Sequence, residues 1–132
     1  MKLYYRALEI ATIYHSNQFR KNGITPYIIH PIRVADKFTD ETDKIIAILH
    51  DTIEDTNIDP QLILDTFGQN IFDIINILTH NRGENYFDYI NRIKQNIVAT
   101  RIKIQDILDN LNDSPSKNQT ERYNIALKVL LN

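Results

Sequence analysis

An all-α fold is predicted, a compact bundle of about seven or eight helices. Three observations predict it. Apolar residues recur at three- and four-residue spacing along nearly the whole chain. Glycine and proline are scarce, three and four in 132 residues, and they fall mainly between the periodic segments. No stretch of useful length alternates apolar and polar residues as a strand does. At 132 residues the chain is expected to be one domain over 1–132, with a core large enough to stand alone.

The elements follow in order. Leu3, Ala7, Ile10, Ala11 and Tyr14 form one face of a first helix. "NQFRKNGITPYIIHP" comes next, broken by Gly23 and Pro26 into an ordered loop. Pro31 suits the first turn of a second helix that carries Ile32, Val34, Ala35 and Phe38. Thr39 or Asp40 can cap a third, containing Ile45, Ile46, Leu49 and Ile53. Asp59-Pro60 reads as the N-cap and first position of a short fourth helix, which Gly68 closes. Ile71, Ile74, Ile75 and Leu78 mark a fifth, and "HNRGEN" is a turn. The helical pattern resumes from Tyr86 to Leu111, with a split near Gln95-Asn96. "NDSPSKN" is a polar loop, and "TERYNIALKVLL" is the last amphipathic helix.

Composition narrows the function. The net charge of −2 argues against gripping polymeric nucleic acid, which needs a basic surface, but leaves room for a small anionic ligand. There is no cysteine, so any metal must be held by His, Asp or Glu. Arg6 and Glu9 interrupt the apolar pattern of "MKLYYRALEIATIYH", unlike a signal peptide. No segment approaches the roughly 20 apolar residues of a membrane span. A cytoplasmic place and no membrane partner are expected.

"ILHDTIEDT", residues 48–56, concentrates the chemistry. Read as a helix, it puts His50 and Glu54 four apart, Asp51 and Glu54 three apart, and Asp51 and Asp55 four apart. A bare His-Asp dipeptide is ordinarily a solvated charged face. Here "IIAIL" precedes it, which implies a buried helix and a semi-buried pair in need of a partner. His50 and Asp51 lie about 100° apart on a helix, so both can lean into a groove only from its edge. Two further candidates are His30 in "YIIHPIRVA" and Asp106 in "RIKIQDILDNL". His30, His50, Asp51 and Asp106 make a two-His, two-Asp set suited to manganese, iron or zinc. A divalent cation there would offset carboxylate repulsion and activate a water for attack.

"HSNQFRKNGITPYIIHPIRVA", "AILHDTIEDT" and "VATRIKIQDILDNL" together resemble the HD-domain alarmone hydrolases. These are the hydrolase half of the RelA/SpoT family and its stand-alone small relatives. The resemblance runs from about residue 4 to residue 130. It implies an HD-domain helical bundle and an enzyme, a metal-dependent phosphohydrolase that removes the 3′-pyrophosphate from guanosine tetra- or pentaphosphate. It implies that His30, His50, Asp51 and Asp106 are the metal ligands and that the ion is manganese, with iron or zinc as alternatives. It implies that Glu54 and Asp55 are catalytic, positioning or deprotonating the attacking water. It implies that Arg20 and Lys21 hold the nucleotide and that Asn110 lies beside the ribose and phosphates. Three positions depart from the family pattern: Asn17 replaces a frequent glycine, Gln105 a small residue, and Ile107 an arginine. Another nucleotide or a phosphorylated dinucleotide is the alternative substrate; a nucleotide-binding module without turnover is the alternative class.

Overall fold

A computed structural model describes all residues, 1–132. It contains no strand; a single isolated bridge pairs Phe19 with Pro26. The helices are α1 (Lys2–Tyr14), α2 (Ile29–Ala35), α3 (Glu41–Leu49), α4 (Thr52–Asp55), α5 (Pro60–Phe67), α6 (Gln69–Leu78), α7 (Tyr86–Lys94), α8 (Ile97–Leu111) and α9 (Lys117–Leu131).

One helix more than expected arises because the third is interrupted. Ile45 and Ile53 do not share one continuous helix: α3 ends at Leu49, and α4 is a separate turn. The Thr52 hydroxyl donates to Leu49 O at 2.7 Å, occupying a carbonyl that a continuing helix would use. Asp51, between the two, sits at φ −100°, ψ −3°, at the edge of the helical basin. Neither glycine nor proline marks the break.

The other boundaries follow side-chain capping. Asp40 accepts from Asp43 N, Asp59 from Gln61 N, and Asn96 from Ala99 N. Asn96 therefore makes the split between α7 and α8. The last helix starts earlier than its apolar pattern, because Ser116 and Gln119 form a reciprocal capping box that draws Lys117 and Asn118 into the helix. On α1 the buried set is Tyr4, Ala7, Ile10 and Ala11, and Leu3 faces solvent. Tyr4 stays inside because α3 receives it: its N–H donates to Glu41, and Lys44 lies over its ring.

Helix α3 is the central element. Residues Ile45 to Leu49 are each at most 1% exposed. It packs against α1, α2, α6 and α8, while α7 and α9 cover the far side of α8. Ile46→Ala is expected to cost about 2–5 kcal/mol, the usual loss for emptying a fully buried isoleucine site. Urea unfolding checks this; a loss within a few tenths of a kcal/mol would remove α3 from the centre of the core. No helix is long and apolar enough to cross a membrane.

Two loops complete the frame. Gly23 (φ 71°) turns the 16–28 loop, where Asn22 Oδ1 accepts from Ile24 N and Thr25 N. Asn17 also adopts positive φ, 66°, the conformation glycine takes freely and asparagine tolerates best, so the departure from glycine keeps the turn. Between α6 and α7, Arg92 donates to Ile77 O and Thr79 O and pairs with Glu84, fixing the "HNRGEN" turn.

Candidate metal centre

Helices α2, α3 and α8 pack on one another, and each brings a polar residue to their junction. His30 lies in the first turn of α2, His50 ends α3, Asp51 opens α4, and Asp106 lies in the middle of α8. One ligand atom from each of these four comes within 4.8 Å of the other three. His30 Nε2 is 2.8 Å from Asp106 Oδ1 and 3.8 Å from Asp51 Oδ2. His50 Nε2 is 3.1 Å from Asp51 Oδ2 and 3.3 Å from Asp106 Oδ1. On a continuous helix His50 and Asp51 would diverge by about 100°. The break after Leu49 turns both toward one point, in place of the helix edge that the spacing suggested.

Each member is held from outside the group. His30 Nδ1 bonds Asp109 Oδ2 at 2.6 Å, and His50 Nδ1 donates to Ala47 O at 2.5 Å. The Tyr27 hydroxyl donates to Asp51 Oδ2 at 2.5 Å. Asp106 turns its other oxygen to Lys103 Nζ, 2.8 Å away. His30, His50 and Asp106 are all at most 3% exposed.

The charges at this junction are mutually dependent. Burial works against the His50 imidazolium, but the carboxylates of Asp51 and Asp106 outweigh it and raise its pKa well above the usual value. Burial likewise opposes ionised Asp106, yet Lys103 and His50 hold it well below the carboxylate range. Such a set is costly unless paired. A divalent ion suits it chemically: two imidazole nitrogens and two carboxylate oxygens from separate helices form an N/O set for a transition metal. Both Nδ1 atoms already have acceptors, so the Nε2 atoms point inward. His50 Nε2 is buried and makes no hydrogen bond. The group could therefore hold a divalent metal.

Asp51 and Asp106 open on a cavity of about 270 Å³, whose lining includes Glu54, Asp55 and Asn110. The Glu54 carboxylate accepts the His80 N–H at 2.7 Å, a donor placed by the "HNRGEN" turn. Gln18 donates to Asp55 O at 2.8 Å, tying α4 to the 16–28 loop. Burial, then the charges of Asp51 and Glu54, pushes the Asp55 carboxyl up to about 7.

Arg20 and Lys21 lie elsewhere, on an adjoining cavity of about 220 Å³ that shares Tyr27, Asn110 and Tyr123 with the first. Arg20 is largely buried; it donates to Asn110 Oδ1 at 3.0 Å and lies 2.7 Å from Asp113 Oδ2. Lys21 bonds Gln119 of α9. Asn110 reaches back to Asp106 Oδ1 at 3.3 Å and so bridges the two cavities. Gln105 does not press on the metal group: it lines a third, wider groove of about 940 Å³ that contains none of the four clustered residues. Ile107 is plain core.

Four residues of this region escaped the sequence reading: Tyr27, Lys103, Asp109 and Arg122. Lys103 carried a usable signal, three before Asp106 on one helix face. Tyr27 lies three before His30. Arg122 lies on α9, with its guanidinium 4.6 Å from the Tyr86 ring centre at the cavity wall.

No family model matches the chain. It is 32% identical, over 95% of its length, to an Aquifex aeolicus protein named guanosine-3′,5′-bis(diphosphate) 3′-pyrophosphohydrolase. It is 34% identical, over 92% of its length, to the Borreliella burgdorferi protein of the same name. The chain spans only 20% and 19% of the lengths of these two relatives. Its fold matches that of a protein described as a metazoan ortholog of SpoT that hydrolyzes ppGpp and plays a role in starvation responses. That match has a TM-score of 0.81 at 25% identity and covers 99% of this chain and 84% of the other. In sequence along most of its length, and in fold along nearly all of it, the chain is similar to proteins named for, or described by, the hydrolysis of guanosine 3′-pyrophosphates.

Proposed function

We propose that the chain is a metal-dependent phosphohydrolase that removes the 3′-pyrophosphate from guanosine tetra- or pentaphosphate. The observation that carries this reading is the convergence of His30, His50, Asp51 and Asp106 within 4.8 Å, beside a cavity that also holds Glu54 and Asp55. The names of the two curated relatives and the description of the structural neighbour supply the substrate class.

In this reading the four clustered residues hold one divalent ion, manganese by family resemblance, with iron and zinc accepted by the same donors. When bound, such an ion supplies Lewis acidity toward phosphoryl oxygens and activates water. The rest is done by the chain. Asp55, on the same cavity wall, takes the proton of the attacking water. Glu54, fixed by the His80 N–H, orients that water. Lys103 and Arg122 line the same cavity and offset the spare phosphate charge. Asn110 spans the ribose between the two cavities, and Arg20 and Lys21 hold the nucleotide in the adjoining one. The substrate is a small nucleotide, and the place of action is the cytoplasm.

Phosphate and pyrophosphate release from a panel of nucleotides, with manganese present, tests the reading. Pyrophosphate is expected from the guanosine 3′-pyrophosphates, and a chelator should stop it. Release from other nucleotides alone would change the substrate. No turnover with metal bound would leave a nucleotide-binding module.

A further inference from the structure

We infer that Asp109 is a positioning residue of the metal centre, holding the His30 ring so that Nε2 faces the ion. The inference rests on the metal-centred reading above. Asp109 lies three residues after Asp106 on α8, so one helix supplies both a ligand and the anchor of a ligand on another helix. Its Oδ2 meets His30 Nδ1 at 2.6 Å. Arg33, one turn along α2 from His30, donates through Nε to Oδ1 at 2.9 Å and through Nη2 to Oδ2 at 3.4 Å. The guanidinium thus spans both oxygens and sets the plane of the carboxylate.

The two histidines are anchored differently. His50 Nδ1 meets a neutral backbone carbonyl, which no side-chain change can remove. His30 Nδ1 meets an anion, which keeps the proton on Nδ1, leaves the Nε2 lone pair for the metal, and raises the donor strength of the ring. Asp109 lines neither nucleotide cavity; it lines the wide groove, with Arg33 and with Arg20, which that groove shares with the adjoining cavity. Metal affinity read without substrate therefore isolates what its carboxylate does for His30.

Calorimetric titration of Mn²⁺ and Zn²⁺ into the full chain, the D109N, D109A and R33A variants, and H30A tests this. H30A should abolish specific binding. D109N and D109A should weaken it roughly 10- to 100-fold, in protein that still shows a cooperative thermal transition before metal is added. R33A leaves the Asp109–His30 contact in place and should weaken binding less than D109A. In ¹⁵N spectra of the Zn²⁺-loaded protein, the His30 Nδ1–H resonance should lie far downfield and move in D109A, while that of His50 stays. D109N and D109A affinities within twofold of wild type would overturn the inference and leave the metal reading standing. An R33A loss equal to that of D109A would also overturn it, assigning the effect to the surface ion pair. A wild-type chain that takes up neither ion would overturn the metal reading, and this inference with it.

Discussion

His50→Ala is expected to abolish ion binding and turnover together. The ring is 2% exposed, and its Nε2 faces a carboxylate oxygen of Asp51 and one of Asp106. Removing it deletes one of four donors and leaves the half-buried Asp51 and the buried Asp106 facing each other across the gap. Breaking a buried charged arrangement from one side typically costs about 3–5 kcal/mol. The variant should therefore also unfold at lower temperature, and His50→Gln, which fills the space with a weaker ligand, separates the two effects. Metal per chain, melting temperature and pyrophosphate release are read on the same samples. A folded His50→Ala or His50→Gln protein with one ion per chain and wild-type turnover would end the assignment of this group as the metal centre.

Most of the architecture was readable because local signals agreed with the global one. Asp59-Pro60, Gly68 and Asn96 act where capping chemistry says they should, and the apolar spacing of α6 is the spacing the core uses. The interruption at His50-Asp51 was not readable. Ile45, Ile46, Leu49 and Ile53 keep helical period across it, and its causes are a threonine hydroxyl turned back on Leu49 and a tyrosine from the 16–28 loop bonded to Asp51. The second contact is long-range, so no window of sequence contains it.

The site divides in the same way. His30, His50, Asp51 and Asp106 were nameable because histidines and acids are conspicuous in apolar surroundings, and the helix packing brings them together. Lys103 and Asp109 were not named, because on α8 each reads as an ordinary charged residue. The spacing of Lys103 from Asp106 hints at that pair, whereas only packing reveals that Asp109 is sealed against His30. Arg20 and Lys21 were expected on the substrate, and the structure places them one cavity away from the ion group, with Asn110 between. A nucleotide long enough to reach both cavities fits that layout better than a single phosphate does.

Glu54→Ala and Asp55→Asn should each keep the ion yet slow turnover by roughly 10²- to 10⁴-fold, the usual worth of a positioned acid or base. Neither carboxylate belongs to the four-residue group, so metal content should stay at one per chain. Their environments differ in a way that kinetics can read. Both side chains reach solvent, but Glu54 is held by one backbone N–H, whereas partial desolvation and the charges of Asp51 and Glu54 push the Asp55 carboxyl up to about 7. A base must be deprotonated, so kcat/KM should fall about tenfold per pH unit below the Asp55 pKa. A cation beside Asp51 offsets part of that repulsion and moves the limb below 7, and Asp55→Asn should remove the limb altogether. The same shift acts on stability in the opposite sense. The folded chain holds the Asp55 proton more tightly than the unfolded chain does. Its contribution to stability is therefore full below the ordinary value of 3.8 and is lost as pH rises through about 7. Asp55→Asn, neutral at every pH, should thus be at least as stable as the parent above that point while being far slower. A variant with unchanged kcat and an intact acid limb would take the proton-transfer role away from Asp55.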